Sequence, residues 1–360
     1  MVNRCIVVCM CGVKFMFVFI FIFVLLSSCS QNVSRDYDLP EECGGKCYAA
    51  HDISSLQDAL VNSAAAFSNC VCLGSGVFEG SVTVAKPLRI IGRKDGSTYL
   101  KSLAILDTSG VFLRDFSFKN VSTDSAALFI SGSSVEMENI SFSGISAGSV
   151  FGGRGIVISG KESEVFIKNS KMERTDGTGI LINGAHKVTL ENVALSKCGF
   201  AALWAQNQSE NRGFLSVSGG NFSDNGATAI EILGNTALQI SGSSIEEVRK
   251  RDVMLESVGD GIVVKNSFLA EADSILIENS SISGFPRAGI ILDGAEGLTS
   301  LGAKFENLSV FSESGSFGLV VQNAVEEASL REGLTRNDFS SADLKLEEEL
   351  FIIDTFFELQ

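Results

Sequence analysis

Apolar and polar residues alternate in short triplets that recur along most of this chain. Starts of this kind fall at Leu88, Val111, Val135, Val165, Val188, Leu215, Leu238, Ile275 and Leu298. Successive starts lie 23, 24, 30, 23, 27, 23, 37 and 23 residues apart, so 23 is the base period and the longer intervals carry insertions. Four residues after each start stand Gly92, Asp115, Asn139, Asn169, Asn192, Gly219, Gly242, Asn279 and Gly302. All are types that tolerate left-handed backbone. A second triplet then follows a small residue, as in Gly155-Ile-Val-Ile, Gly179-Ile-Leu-Ile and Gly289-Ile-Ile-Leu. Five residues beyond that small residue come Asp107, Gly132, Gly160, Gly184, Asn207, Gly234, Asn266, Gly294 and Asn323. Two short strands, each closed by a bend at a fixed offset, predict one coil of a β-solenoid.

Within each triplet the outer residues point into the core. Val165 and Ile167 face in while Phe166 and Lys168 face out, and Val188/Leu190 and Ile275/Ile277 follow suit. Nine coils at a strand spacing of ~4.8 Å predict a rod roughly 43 Å long. Only Pro40, Pro87 and Pro286 interrupt the chain, as continuous parallel pairing requires. A solenoid's open first coil needs a lid. Ser54 to Phe67 supplies one as a helix, with Ser54 as its cap and Leu56, Leu60, Ala64 and Phe67 on one face. After Val325 the repeat stops, and the tail ends in the apolar stretch from Leu350 to Leu359. A free tail of that kind would invite aggregation, so it is expected to cap the last coils near Ile291 and Val320.

The chain begins differently. Arg4 and Lys14 precede an unbroken apolar run of twelve residues, Phe15 to Leu26, followed by Leu26-Ser27-Ser28-Cys29. This resembles a bacterial lipoprotein signal, in which cleavage precedes a Cys that carries lipid. The alternative is a retained anchor helix, since Ile6 to Leu26 is long enough to span a bilayer. The expected organisation is a signal peptide over 1–28, a linker with a cysteine cluster over 29–51, the capped solenoid over 52–328 and a tail or cap over 329–360. The expected place is the cell envelope, with a lipid anchor at Cys29 in a bacterial membrane, at the outer membrane or cell surface.

Charge narrows the partners. The net charge is −15, and removing Arg4 and Lys14 with the signal makes it −17. Nucleic acid and anionic headgroups both need a basic surface, so no nucleic-acid partner is expected. Of the nine cysteines, Cys43, Cys47, Cys70 and Cys72 cluster near the start of the repeat. Their spacing would admit a metal, but an exported chain favours two disulfides. Alternate residues of a strand share a side, so pairs such as Cys43–Cys70 and Cys47–Cys72 are compatible with the pattern. The connectivity itself is not set by sequence. Cys198 reads as a buried thiol.

The segments Val135-Glu-Met-Glu-Asn-Ile-Ser-Phe, Val165-Phe-Ile-Lys-Asn-Ser and Ile275-Leu-Ile-Glu-Asn-Ser-Ser-Ile resemble the right-handed parallel β-helix repeat of the pectin-lyase-like superfamily. Pectate lyases, polygalacturonases, alginate epimerases and periplasmic accessory proteins share that repeat. The likeness covers about residues 52–325 and implies an all-β fold with no particular activity. The opening, Leu56-Gln-Asp-Ala-Leu through Gly76-Val-Phe-Glu-Gly and Leu88-Arg-Ile-Ile-Gly, is similar to the start of pectin methylesterases and bacterial surface β-helix proteins. The catalytic motifs of those enzymes do not follow: the only histidines are His51 and His186, and Asp260 stands alone in Gly-Asp-Gly.

Three groups of residues are candidates for function. Arg114, Glu138, Lys168 and Glu191 form an outward charge row on the first strand, most simply a solvated ladder. Asp124, Asp176, Asp224 and Asp260, with Arg154 and Arg287, are carboxylates and bases of the kind that uronate chemistry needs. Of these, Asp176, Asp260, Arg154 and Arg287 are the catalytic candidates. Their offsets within the coils differ, however, which turn chemistry would also explain. The outward row of the second strand is Phe129, Val157, Leu181, Trp204, Glu231, Val263, Ile291 and Val320. Seven of these eight are apolar, so the row must be covered or must be a contact surface. Phe129, Leu181 and Trp204 are its binding candidates. Insertions in the coils starting at Val111, Val135, Leu238 and Leu298 widen one corner, as binding loops do. The longest holds Arg249-Lys250-Arg251. The leading expectation is a tethered β-helix that binds a polysaccharide or surface protein, with no catalytic centre, no metal site and no cofactor. The alternative is a lyase or epimerase of uronic-acid polymers, which would call for calcium.

Overall fold

A computed structural model of the chain describes Cys43 and residues 46–62, 69–147, 152–184, 186–253, 256–265, 274–293, 303–312, 316–322, 338–341 and 351–353. Residues 1–28, expected as a signal peptide, and Cys29 lie outside them. The described residues form an all-β parallel solenoid of about nine turns with one helix.

Each coil has three faces. The first runs from Tyr48–Ala50 through Val111–Arg114 and Glu164–Lys168 to Ala303–Glu306, as one sheet of 11 strands. The second is built from short strands such as Ser117–Ser122, Lys171–Thr175 and Ser309–Ser312. The third comprises strands such as Ala126–Ser131, Ala201–Asn207, Asp260–Lys265 and Phe317–Gln322. Two long strands, Gly76–Val84 and Thr98–Leu106, bend from the second face into the third at the start of the rod. Pairing between successive coils is parallel, with residues stacked in columns: Val111, Val135, Val165, Val188, Leu215, Leu238 and Ile275 are successive partners.

The bends follow the expected chemistry. Asp115, Asn139, Asn169, Asn192, Gly219, Gly242 and Asn279 all have left-handed φ, between 49° and 61°. Neighbouring amides link across coils, with Asn139 Nδ2 donating to Asp115 Oδ1 at 3.1 Å and Asn192 Nδ2 donating to Asn169 Oδ1 at 3.3 Å. Gly92 is needed for space instead, because a side chain there would strike the backbone of Asp115. Asn207 is also not left-handed: it is buried, and its amide donates to the carbonyls of Asn211 and Asn235.

Two sequence expectations are corrected. The last coil begins at Ala303 rather than Leu298, because Ile275 pairs with Ala303 and Ile277 with Phe305. Ala303-Lys-Phe305 supplies both inward residues, whereas Leu298-Thr-Ser supplies only one. The bend follows at Asn307, φ 48°, not at Gly302. The extra residues of that coil therefore precede its first strand, and they do not widen the corner assigned to them. The helix, α1 (Ile53–Asn62), is capped by Asp52 rather than Ser54. Ser55 N donates to Asp52 Oδ1 at 2.7 Å, and Asp52 N donates to Ser55 Oγ at 3.0 Å, a reciprocal cap. Ser55 N and Ser55 Oγ, both donating to its carboxylate, hold the Asp52 carboxyl below its ordinary range. Leu56 and Ala59 of α1 are buried against the first coil.

Disulfides join Cys43 to Cys70 and Cys47 to Cys72, each with Cα atoms 5.8 Å apart. They pin the chain before the repeat to the Cys70–Leu73 strand. At the far end Asp338–Ser341 pairs with Ser309–Ser312, and Phe351–Ile353 pairs with Val320–Gln322. The tail thus extends the stack by strand pairing.

Candidate functional site

On the third face the pairing register sets the outward residues in columns. Phe129, Val157, Leu181, Trp204, Glu231, Val263, Ile291 and Val320 are successive partners in one of them. In a parallel stack such partners lie ~4.8 Å apart. Its apolar members split into two clusters. Ala126, Val157 and Leu181 are buried with Phe129 and Trp204 against them, and Val263, Ala288, Ile291 and Val320 are buried with Phe317 against them. Glu231 is the charge between them.

A neighbouring column runs through Ala201, Thr228, Asp260, Ala288 and Phe317. It faces outward because the residue after each member is the small one that packs inward. Gly261 is one such residue, where a side chain would meet Ile282 and the Gly289 carbonyl. Asp260, fully buried, therefore lies one coil beyond Glu231 on the same face. Arg287, at the corner before Ala288, forks onto both carboxylate oxygens: Nε donates to Oδ1 at 2.8 Å and Nη2 to Oδ2. Burial pushes the Asp260 carboxyl up, and the guanidinium opposes it. Burial also raises Glu231, with the Lys265 charge pulling it back and the Asp260 charge adding to the rise.

Trp204 lies directly beside Glu231 and is half-buried. Its ring sits 5.4 Å from that of Phe200, tilted by 46°. Its indole Nε1 is buried without an acceptor among the described residues. Trp204 usually would find one when covered. An aromatic pair, an unmatched donor, a carboxyl biased toward its protonated form and a fixed ion pair thus meet on one face.

The candidates from sequence are only partly united here. Trp204, Leu181 and Phe129 share a cluster, Leu181 as buried support and the other two partly exposed. Asp260 and Arg287 are bonded. Arg154 is on this face but four coils from Asp260, ~19 Å at the strand spacing, and burial lowers its guanidinium pKa. Asp176 is at the corner between the second and third faces, where its Oδ2 accepts from Ala147 N at 2.9 Å. Glu231 was visible in sequence only as the exception in an apolar row, which was the available signal. Phe200 carried none. Among the described residues no three His, Cys, Asp or Glu side chains are grouped as a metal site. The third-face set does not fit calcium, because both Asp260 oxygens face Arg287 and Glu231 is left alone.

The first face carries a second feature. Arg89 lies over the Phe112 ring at 5.5 Å, Arg114 over the same ring at 5.7 Å, and Lys168 within 3.4 Å of Glu136 and 3.7 Å of Glu138. Arg89, Phe112, Glu136, Glu138 and Lys168 line an open depression of about 790 Å³ in which charges are matched locally. Of the expected row, Glu138 and Lys168 pair with each other, as a partly exposed contact.

A family model described as "Right handed beta helix region" matches residues 102–268, and the columns continue its repeat in both directions. The fold is that of a right-handed parallel β-solenoid. Among solved structures, this β-helix is similar to an alginate lyase from Paenibacillus sp. str. FPU-7. The two are 14% identical, with 78% of this chain and 99% of that chain covered and a TM-score of 0.50. A surface adhesin of Streptococcus pneumoniae is 10% identical over 79% of this β-helix and 87% of its own length, with a TM-score of 0.39. The A-module of a mannuronan C-5 epimerase from Azotobacter vinelandii is 14% identical over 83% and 97%, with a TM-score of 0.36. At such identities the likeness is one of fold. No curated protein matches the β-helix significantly in sequence.

Proposed function

We propose that the protein is a glycan-binding β-helix of the cell envelope, tethered through Cys29, whose third face receives the sugar chain at Trp204 and Phe200. The observation that carries this is the half-buried Trp204, with its buried, unmatched N–H, set in a row of outward apolar side chains. Aromatic faces take the C–H surface of sugar rings, and the unmatched donor suits a sugar hydroxyl. Phe129 and Trp204 are the partly exposed apolar members of that row, and the buried ones hold them in place. The fold shared with a polysaccharide lyase is consistent with such a ligand. A surface protein is the other partner that this face would suit.

Trp204 is the only tryptophan, so its fluorescence reports this face alone. Titration with oligosaccharides of neutral and uronic-acid types is expected to shift the emission saturably with one of them, and Trp204→Phe to weaken binding of that sugar severalfold. Emission unmoved by every glycan tried, with a purified surface protein shifting it instead, would move the reading to the protein partner. A lyase or epimerase reading has one specific observation behind it, the raised carboxyl of Glu231 beside the Asp260–Arg287 pair, a set able to hold and move a proton. Unsaturated product absorbing in the ultraviolet with polygalacturonate or alginate, lost in Glu231→Gln, would establish turnover. Binding without product would leave the face a receptor site.

A further inference from the structure

The corner between the second and third faces is widened by the insertion that separates Glu246 from Asp260. The insertion continues as an antiparallel hairpin, Arg251–Val253 with Glu256–Val258. Beside it is an open depression of about 840 Å³, lined by Arg174, Lys197, Arg249, Lys250 and Arg251 together with Asp176 and Asp224. Five cations face two carboxylates, an excess of three positive charges in a chain whose net charge is −15. Both carboxylates are already engaged. Asp176 accepts from the Ala147 backbone, and Asp224 Oδ1 lies 3.1 Å from Arg249 Nε. At the rim, Glu173 lies 3.5 Å from Lys197 and 4.0 Å from Arg174, through side chains about half exposed. Such contacts hold little. Lys250 and Arg251 make no ion pair among the described residues.

The bends at this corner share one backbone conformation. Arg174 and Lys197 both have left-handed φ, 61° and 55°. They occupy one column of bends in which Asn120, Gly144, Asp224, Glu247 and Gly284 are left-handed as well, so the conformation belongs to the coil. Arginine and lysine accept that conformation less readily than asparagine or glycine, so the bend itself is what a glycine at Arg174 would ease.

We propose that this depression is a separate binding site for the sulfate esters of a glycan. The cations converge from two elements, the second-face bends at Arg174 and Lys197 and the insertion at Arg249–Arg251. A tetrahedral sulfate offers three oxygens to donors arriving from several directions, whereas a carboxylate offers one planar edge. The Asp260–Arg287 pair shows that a single guanidinium satisfies such an edge. The site goes beyond the third-face reading and does not rest on Trp204.

The test uses the full chain on immobilised dextran sulfate, dextran and polygalacturonate, eluted with salt. Dextran sulfate is expected to retain it to higher salt than polygalacturonate. The double variant Lys250→Ala/Arg251→Ala should bind dextran sulfate at least tenfold more weakly with an unchanged Tm. Arg174→Gly should also weaken binding while keeping or raising Tm, since glycine relieves the bend. Trp204→Phe should leave dextran sulfate binding as it was, which separates this site from the third face. Undiminished affinity in the double variant would overturn the proposal. Equal retention on polygalacturonate, or loss of dextran sulfate binding in Trp204→Phe, would do so too.

Discussion

Glu231 and Arg287 lie on one face of the rod, yet removing their charges has opposite consequences. Burial raises the Glu231 carboxyl in the folded protein above its unfolded value. The folded state therefore binds more protons than the unfolded one between those two values, and stability falls as pH rises through them. Glu231→Gln removes that loss. The variant is expected to melt higher than the parent at pH 7, with the difference closing below about pH 4, where both states are protonated. Arg287→Ala instead strands the buried Asp260 carboxylate, a change that costs on the order of 3 kcal/mol when a buried pair is broken. Thermal melts of both variants across pH check the two signs together, and a Glu231→Gln protein less stable than the parent at pH 7 would refute the first. Cys198 illustrates the same physics without a site: burial pushes its thiol up to about 11.

Among the strands, the decisive positions are those where consecutive coils come closest. The small residue before each third-face strand points inward against the second face. At Gly179 a Cβ would stand 2.6 Å from the Ala202 carbonyl and 2.8 Å from Cys198 Sγ. The carbonyl belongs to the next coil's ladder and has no room to retreat. Gly179→Ala is expected to cost about 1–3 kcal/mol through overpacking. Gly184, at φ 68° with open space around it, loses only conformational ease, about 1–2 kcal/mol on substitution by Ala. Urea unfolding of the two variants measures the contrast. A Gly179→Ala protein as stable as the parent would show that the coils are looser than their columns indicate.

For the whole molecule, both ends of the stack are managed. Two disulfides and α1 close the first coil, while tail strands extend the last. Two cystines closing loops of 27 and 25 residues restrict the unfolded chain at the end where the core is otherwise open. Tethering belongs to this scale too. If Cys29 carries the lipid, Cys29→Ser is expected to release the protein from membranes or hold it as a larger precursor. Fractionation with unchanged size and unchanged membrane retention would favour an uncleaved helix instead.

The coils were legible in the sequence because their requirements are local. Inward alternation, a left-handed residue at each bend and a small residue before each third-face strand are properties of single positions, and together they specify the columns from Leu88 to Ile275. The last coil escaped because its insertion precedes Ala303, and a period cannot tell on which side of a strand extra residues fall. The site escaped for the same reason on a larger scale. Asp260 and Arg287 are 27 residues apart and Glu231 is 29 before Asp260, with insertions of different length between. Only backbone pairing across coils decides which outward residues become neighbours. That pairing set Trp204 beside Glu231 and left Asp124, Arg154 and Asp176, in three earlier coils, and Asp224, at another corner, apart from them.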